Sequence, residues 1–158
     1  MAPPNLGARL KLRIKLAVLE LSSSAWEHFT HPRNVGALDP DTPDVATARV
    51  GEPISGEILQ LQLRIDAGGN IVAAYFKAYG SAWLIACGSL LTERIQQQTL
   101  DEAAQFLHDE LVEALRIPPA KLHCAVLAET ALKAALQSWA VPRTSLDATI
   151  QTHQPPDC

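Results

Sequence analysis

Cysteine is scarce in this sequence and poorly placed for disulfides: Cys87, Cys124 and Cys158 are odd in number, widely spaced and form no CxxC pair. That pattern argues against a secreted disulfide framework and fits a reducing compartment, with the cytoplasm as the expected location. Long apolar runs are missing as well. None reaches the about eighteen residues that a membrane-spanning helix requires, so no membrane contact is expected. Positive charge is in the minority, with 13 Lys and Arg against 17 Asp and Glu, and aromatics make up only 5% of the chain. No basic stripe with interleaved aromatics appears, which argues against a nucleic-acid surface. Between Arg9 and Glu20 the residues Leu10, Leu12, Ile14, Leu16 and Val18 alternate with Arg9, Lys11, Arg13 and Lys15. This run is too short and too interrupted for a secretory core, and reads either as an extra edge strand or as a basic amphipathic extension lying on the domain.

What remains is enough for one domain, since 158 residues can bury roughly two-thirds of the surface that the unfolded chain exposes. Three segments are expected: a flexible or strand-like basic extension over 1–22, a folded domain over 23–140, and a disordered tail over 141–158, where three prolines and little periodicity occur. Within the domain a short helix opens at Ser23 or Ser24, carries Trp26 and Phe29 on one face and ends before Pro32. A dense cluster of turn residues from His31 to Asp44 predicts an ordered loop. Alternating runs then follow at Ala46–Val50, Glu57–Asp66 and Ile71–Tyr79, the last two joined by Ala67-Gly68-Gly69-Asn70, a hairpin turn. After Gly80 the period becomes helical, with Leu84, Cys87, Leu91 and Ile95 on one stripe and Trp83 and Leu90 beside it. Thr99-Leu100-Asp101-Glu102 is a capping box opening another helix, which runs to Leu115 with a break near His108 and Asp109. The fold class is α+β: a small three-stranded, mostly antiparallel sheet with helices packed on one face.

The stretch Ile117-Pro118-Pro119-Ala120-Lys121-Leu122-His123-Cys124 carries the most chemistry. Its two prolines suit the first turn of a helix, which then continues from Leu122 to Trp139. His123 and Cys124 therefore lie on that first turn, where the macrodipole and Lys121 should lower the thiol pKa of Cys124. Two other places bring polar chemistry to element ends: the loop Gly51–Glu57 and the strand-to-helix junction Tyr79-Gly80-Ser81. Cys87, on the apolar stripe, is expected to be packing. His28 and His31 read as surface residues at a helix end, His108 as a solvated residue on an exposed face, and Cys158 as incidental.

Four motifs in order, Phe29–Gly36 (FTHPRNVG), Val50–Glu57 (VGEPISGE), Phe76–Gly80 (FKAYG) and Ile117–Cys124 (IPPAKLHC), resemble the U-type iron–sulfur cluster scaffold family, IscU and the NifU amino-terminal domain. The likeness runs from about Trp26 to Trp139 and implies that family's α/β sandwich. It further implies a site of three cysteines and an aspartate. At the corresponding positions this chain has Ser55, Ser81, Cys124 and, for the aspartate, Glu57. A serine hydroxyl is a poor substitute for a thiolate, so assembly of an ordinary iron–sulfur cluster on this chain is doubtful. Cys124, His123 and Glu57 remain as a three-ligand set for a single zinc or iron ion, with Ser55 and Ser81 marking the lost cofactor-binding cysteines. The resemblance also implies a cysteine desulfurase and an Hsp70-type chaperone as partners, the latter docking on Ile117, Pro118, Pro119 and Lys121.

The expected function is that of a divergent, non-enzymatic scaffold protein that binds a metal ion or accepts sulfur on Cys124. Two rivals stand beside it: an interaction module that keeps the fold and partner surfaces without metal chemistry, and a small metal-dependent hydrolase, for which the chain offers no evident oxyanion donor. No oligomeric state follows from the sequence.

Overall fold

The structure is a computed structural model describing residues 21–52, 54 and 56–140. Ser55, the extension over residues 1–20 and the tail over residues 141–158 lie outside the described residues, and so does Cys158. The alternating runs form β1 (Val45–Glu52), β2 (Glu57–Ile65) and β3 (Ile71–Tyr79), ordered β1-β2-β3 with both pairings antiparallel. Alternation decides which side faces the core. Leu59, Leu61, Leu63 and Ile65 share one face of β2 and are at most 1% exposed. Leu61 sits opposite Ala48 and Phe76, and Leu63 opposite Ala46 and Ala74, so the buried rows run straight across all three strands. Each such leucine contributes about 1.5–3 kcal/mol by leaving water. The turn between β2 and β3 is closed by the Asp66 carboxylate, which accepts from the N–H groups of Gly68 and Asn70, while Gly69 takes the positive φ of 81°.

Helices cover that face. Helix α1 (Ser23–Thr30) is capped by the Ser22 hydroxyl and buries Ala25 and His28. Trp26 and Phe29 pair with each other, ring centroids 6.2 Å apart, but Trp26 points largely to solvent at 42% exposure, so the inward face is not the aromatic one. The reason is space: the small Ala25 lets α1 lie close to α2 (Ala82–Ile95). Helix α2 packs over β3 with Leu84, Cys87, Leu91 and Ile95 all fully buried. The capping box at Thr99 and Glu102 opens α3 (Leu100–Ala104); after a break at residues 105–107 comes α4 (His108–Leu115). A 3-10 turn at Pro119–Lys121 leads into α5 (Leu122–Ala140), which lies over β1 and β2.

The loop after α1 is ordered, as its turn residues predict. Asn34 and Gly36 exchange backbone hydrogen bonds with Phe76 along the outer edge of β3. Farther on, the backbone N–H and C=O of Leu38 are both held by the side-chain amide of Gln62, which is buried on the other face of the sheet.

Candidate metal site

Three element ends meet at one end of this sandwich. Glu57 opens β2 on the same side as Leu59, so strand alternation turns its carboxylate inward, where it is 5% exposed. Ser81 is the N-cap of α2. His123 and Cys124 occupy the first turn of α5, His123 toward solvent and Cys124 fully buried. Gly80 makes the meeting sterically feasible. Its φ is +147°, and a Cβ there would stand 2.7 Å from the Cγ of Glu57.

The polar atoms are close. His123 Nε2 lies 3.0 Å from Glu57 Oε2, and Cys124 Sγ lies 3.5 Å from the same oxygen and 3.8 Å from Oε1. One ligand atom from each of the three residues falls within 4.8 Å of the others. The Ser81 N–H donates to Glu57 Oε1 at 3.4 Å, and the Ser81 hydroxyl stands 3.5 Å from Cys124 Sγ.

Electrostatics at the site differ from the expectation for a helix start. Burial pushes the Cys124 thiol up to about 11. Hydrogen bonding from Ser81 pulls it down and the Glu57 carboxylate pushes it up, while Lys121 acts in the anticipated downward direction but is the smallest of these influences. The helix-terminus argument for a readily ionised Cys124 is therefore overturned by desolvation and a facing carboxylate. For Glu57 burial works against ionisation, yet hydrogen bonds from the Ser81 hydroxyl and N–H and from the Cys124 thiol, with the charge of His123, more than offset it and hold the carboxyl below its usual range.

The other singled-out residues are placed as follows. Cys87 is fully buried on the α2 stripe, its thiol pushed well up by burial, and among the described residues it is not part of the cluster. His28 is not a surface residue: it is 8% exposed, with Nδ1 2.8 Å from the Ser89 hydroxyl. His108 is not simply solvated, because its Nδ1 lies 2.6 Å from Glu129 Oε2. Ile117 is a core residue at 6% exposure, Pro118 and Lys121 are half-buried, and Pro119 is exposed. The double engagement of Ser81 was not foreseen; a serine three residues before the first helical leucine, Leu84, is the capping signal that could have pointed to it.

The model of the NifU-like N-terminal domain family matches residues 20–145, most of the chain. The chain belongs to this family. Among its relatives, the iron–sulfur cluster assembly enzyme IscU of Drosophila melanogaster is 40% identical over 136 residues, covering 86% of this chain and 88% of the relative. The iron–sulfur cluster assembly scaffold protein IscU of Azotobacter vinelandii is 43% identical over 118 residues, with 75% and 92% covered. A putative cluster assembly scaffold protein for the SUF system from Fervidobacterium islandicum shares the fold with a TM-score of 0.57 at 19% identity, over 73% of this chain and 95% of that one. The NifU-like resemblance read from the four motifs is thus the family of the whole domain, and its three-stranded sheet with helices on one face is the fold observed.

Proposed function

We propose that this protein is a scaffold-type component of iron–sulfur cluster biogenesis whose site takes a single divalent ion, zinc or iron, on Glu57, His123 and Cys124. The observation that carries the proposal is the convergence of Oε2, Nε2 and Sγ at separations of 3.0 and 3.5 Å about the carboxylate. Tetrahedral bonds of about 2.0–2.3 Å put neighbouring oxygen, nitrogen and sulfur donors roughly 3.3–3.5 Å apart. The two separations about the carboxylate are near that range, and the third pair, His123 Nε2 and Cys124 Sγ, lies within 4.8 Å and closes on an ion by turning the half-exposed imidazole. Carboxylate, imidazole and thiolate are all accepted by zinc and iron. The names of the relatives support the biogenesis role. The rival reading, an interaction module without metal chemistry, leaves the buried convergence without a purpose.

The ion is cargo in this reading, and the chain's own residues do three things. Glu57 supplies a fixed carboxylate, His123 closes the solvent side, and Cys124 gives up its proton when the ion arrives, because the thiolate is the ligand. With serines at positions 55 and 81, a complete cluster on one chain is not expected. Among the described residues no helix is long and apolar enough to cross a membrane, and the unpaired cysteines fit the cytoplasm. We take residues 23–140 as the working domain.

Titration with zinc is expected to give one equivalent bound by the wild type and none by Cys124→Ala. Anaerobic reconstitution with iron and sulfide is expected to leave no stable cluster chromophore on the monomer. A robust stoichiometric cluster, or zinc binding that ignores the Cys124→Ala change, would overturn the reading.

A further inference from the structure

Ser81 occupies the vertex of the site nearest Cys124, and every polar atom it owns is already engaged. Its Oγ accepts from the Leu84 N–H at 3.4 Å as the cap of α2. That leaves one hydroxyl proton, which faces both Cys124 Sγ, 3.5 Å away, and the Glu57 carboxylate. Its backbone N–H reaches Glu57 Oε1. The consequence for the carboxylate is a sorting of its two oxygens. Oε1 takes the Ser81 N–H from the start of α2, while Oε2 takes His123 Nε2 and is the nearer of the two oxygens to Cys124 Sγ, at 3.5 Å against 3.8 Å. Gly80 keeps the space beside Glu57 open for this arrangement.

We propose that Ser81 is the positioning residue that makes this a one-thiolate, one-ion site: it orients Glu57 and Cys124 toward a common point and withholds a second sulfur from it. The inference rests on the single-ion reading above and adds to it the residue that sets the donor count. A neutral hydroxyl also fixes charge. One carboxylate and one thiolate match the two positive charges of a divalent ion, whereas a second thiolate would leave the site negative and soft, suited to multi-sulfur binding.

The test is an anaerobic Co2+ titration of the full chain followed by its sulfur-to-cobalt charge-transfer absorption, in wild type, Ser81→Gly, Ser81→Thr and Ser81→Cys. Glycine is a good substitute at a helix N-cap, so Ser81→Gly removes the hydroxyl with little loss of folding. It is expected to weaken Co2+ binding about 10- to 100-fold, the usual effect of losing a partner that orients a metal ligand. Ser81→Thr keeps the hydroxyl and restores the affinity. Ser81→Cys is expected to roughly double the charge-transfer intensity per ion, since a second thiolate then lies beside Cys124. Unchanged affinity in Ser81→Gly, or unchanged intensity in Ser81→Cys, overturns the proposal. If the wild type binds no Co2+, it is the single-ion reading that fails. Ser81 is then judged on the metal-free protein, where the carboxyl carbon resonance of Glu57 and the Cβ resonance of Cys124 should move in Ser81→Gly and return in Ser81→Thr. Resonances that stay in place overturn the positioning role independently of any metal.

Discussion

Glu57 is the residue on which the site turns, and its place depends on a neighbour without a side chain. Gly80 combines a φ of +147° with a backbone so close that any Cβ would strike Glu57 Cγ. Both penalties fall on the same substitution. Gly80→Ala should therefore cost roughly 1–3 kcal/mol in urea unfolding, from strain and from displaced packing. It should also weaken zinc binding by moving Glu57 Oε2 away from His123, which isothermal titration would register. A variant that unfolds at the wild-type midpoint and binds zinc unchanged would show that Glu57 is not held by this contact. Cys124 makes a complementary point. Its first-turn position and Lys121 favour the thiolate, but full burial beside a carboxylate outweighs them and keeps the thiol protonated near neutral pH.

Helix α4 depends on another element for its start. Its N-cap residue, Leu107, has no side-chain acceptor to offer, and the Glu129 carboxylate from α5 takes the His108 N–H at 3.2 Å instead. The same carboxylate holds His108 Nδ1 and Lys133 Nζ, each at 2.6 Å. Burial alone would raise the Glu129 pKa, but hydrogen bonds from Lys133 and His108 win and hold it below its ordinary value of 4.5. A carboxyl depressed in the folded state adds stability above its unfolded pKa, and loses that contribution as pH falls through the folded value. Glu129→Gln is expected to destabilise the protein by about 1–2 kcal/mol at pH 7, the scale of hydrogen bonds to a charged group. The gap to wild type should close below pH 4.5, read as thermal melts across pH 3–7. A gap that stays constant over that range would mean the charge is not what matters.

At the scale of the whole molecule, the candidate metal site and the proline-rich turn lie at the same end, because both include the entry into α5. Of the residues implied for chaperone docking, Pro119 is exposed, Pro118 and Lys121 are half-buried, and Ile117 is held in the core. A docking chaperone would therefore read the prolines and Lys121, with Ile117 anchoring the turn from inside. Lys121→Glu should reduce retention of this protein on an immobilised Hsp70-type chaperone while its melting temperature stays near wild type. Retention that is indifferent to this change, or no retention of the wild type, would overturn the docking implied for this turn.

How much of this could be read without coordinates depends on whether the cause was local. Strands β2 and β3, the turn at Gly69 and helix α2 were legible because alternation over Leu61–Ile65 and the stripe from Leu84 to Ile95 record which side meets the core; the inward row begins at Leu59, and Ile58, read with that row across a slip, lies off it. The helix start at Pro119 was legible because prolines act within a turn, and the interruption expected near His108 and Asp109 falls just before them, at residues 105–107, with His108 opening α4. The donors Glu57, His123 and Cys124 could be named from motifs. The burial of His28 against Ser89, the engagement of His108 by Glu129 and the raised thiol of Cys124 could not, because each is set by partners 21 to 67 residues away in sequence. The sequence by itself determined the elements and the family and named the candidate donors, all of which follow from short-range pattern and matching motifs. Only the tertiary structure decided that Glu57 faces inward beside Gly80, that Ser81 contacts both Glu57 and Cys124, and that Cys124 is buried, because desolvation and convergence arise only when distant element ends pack together.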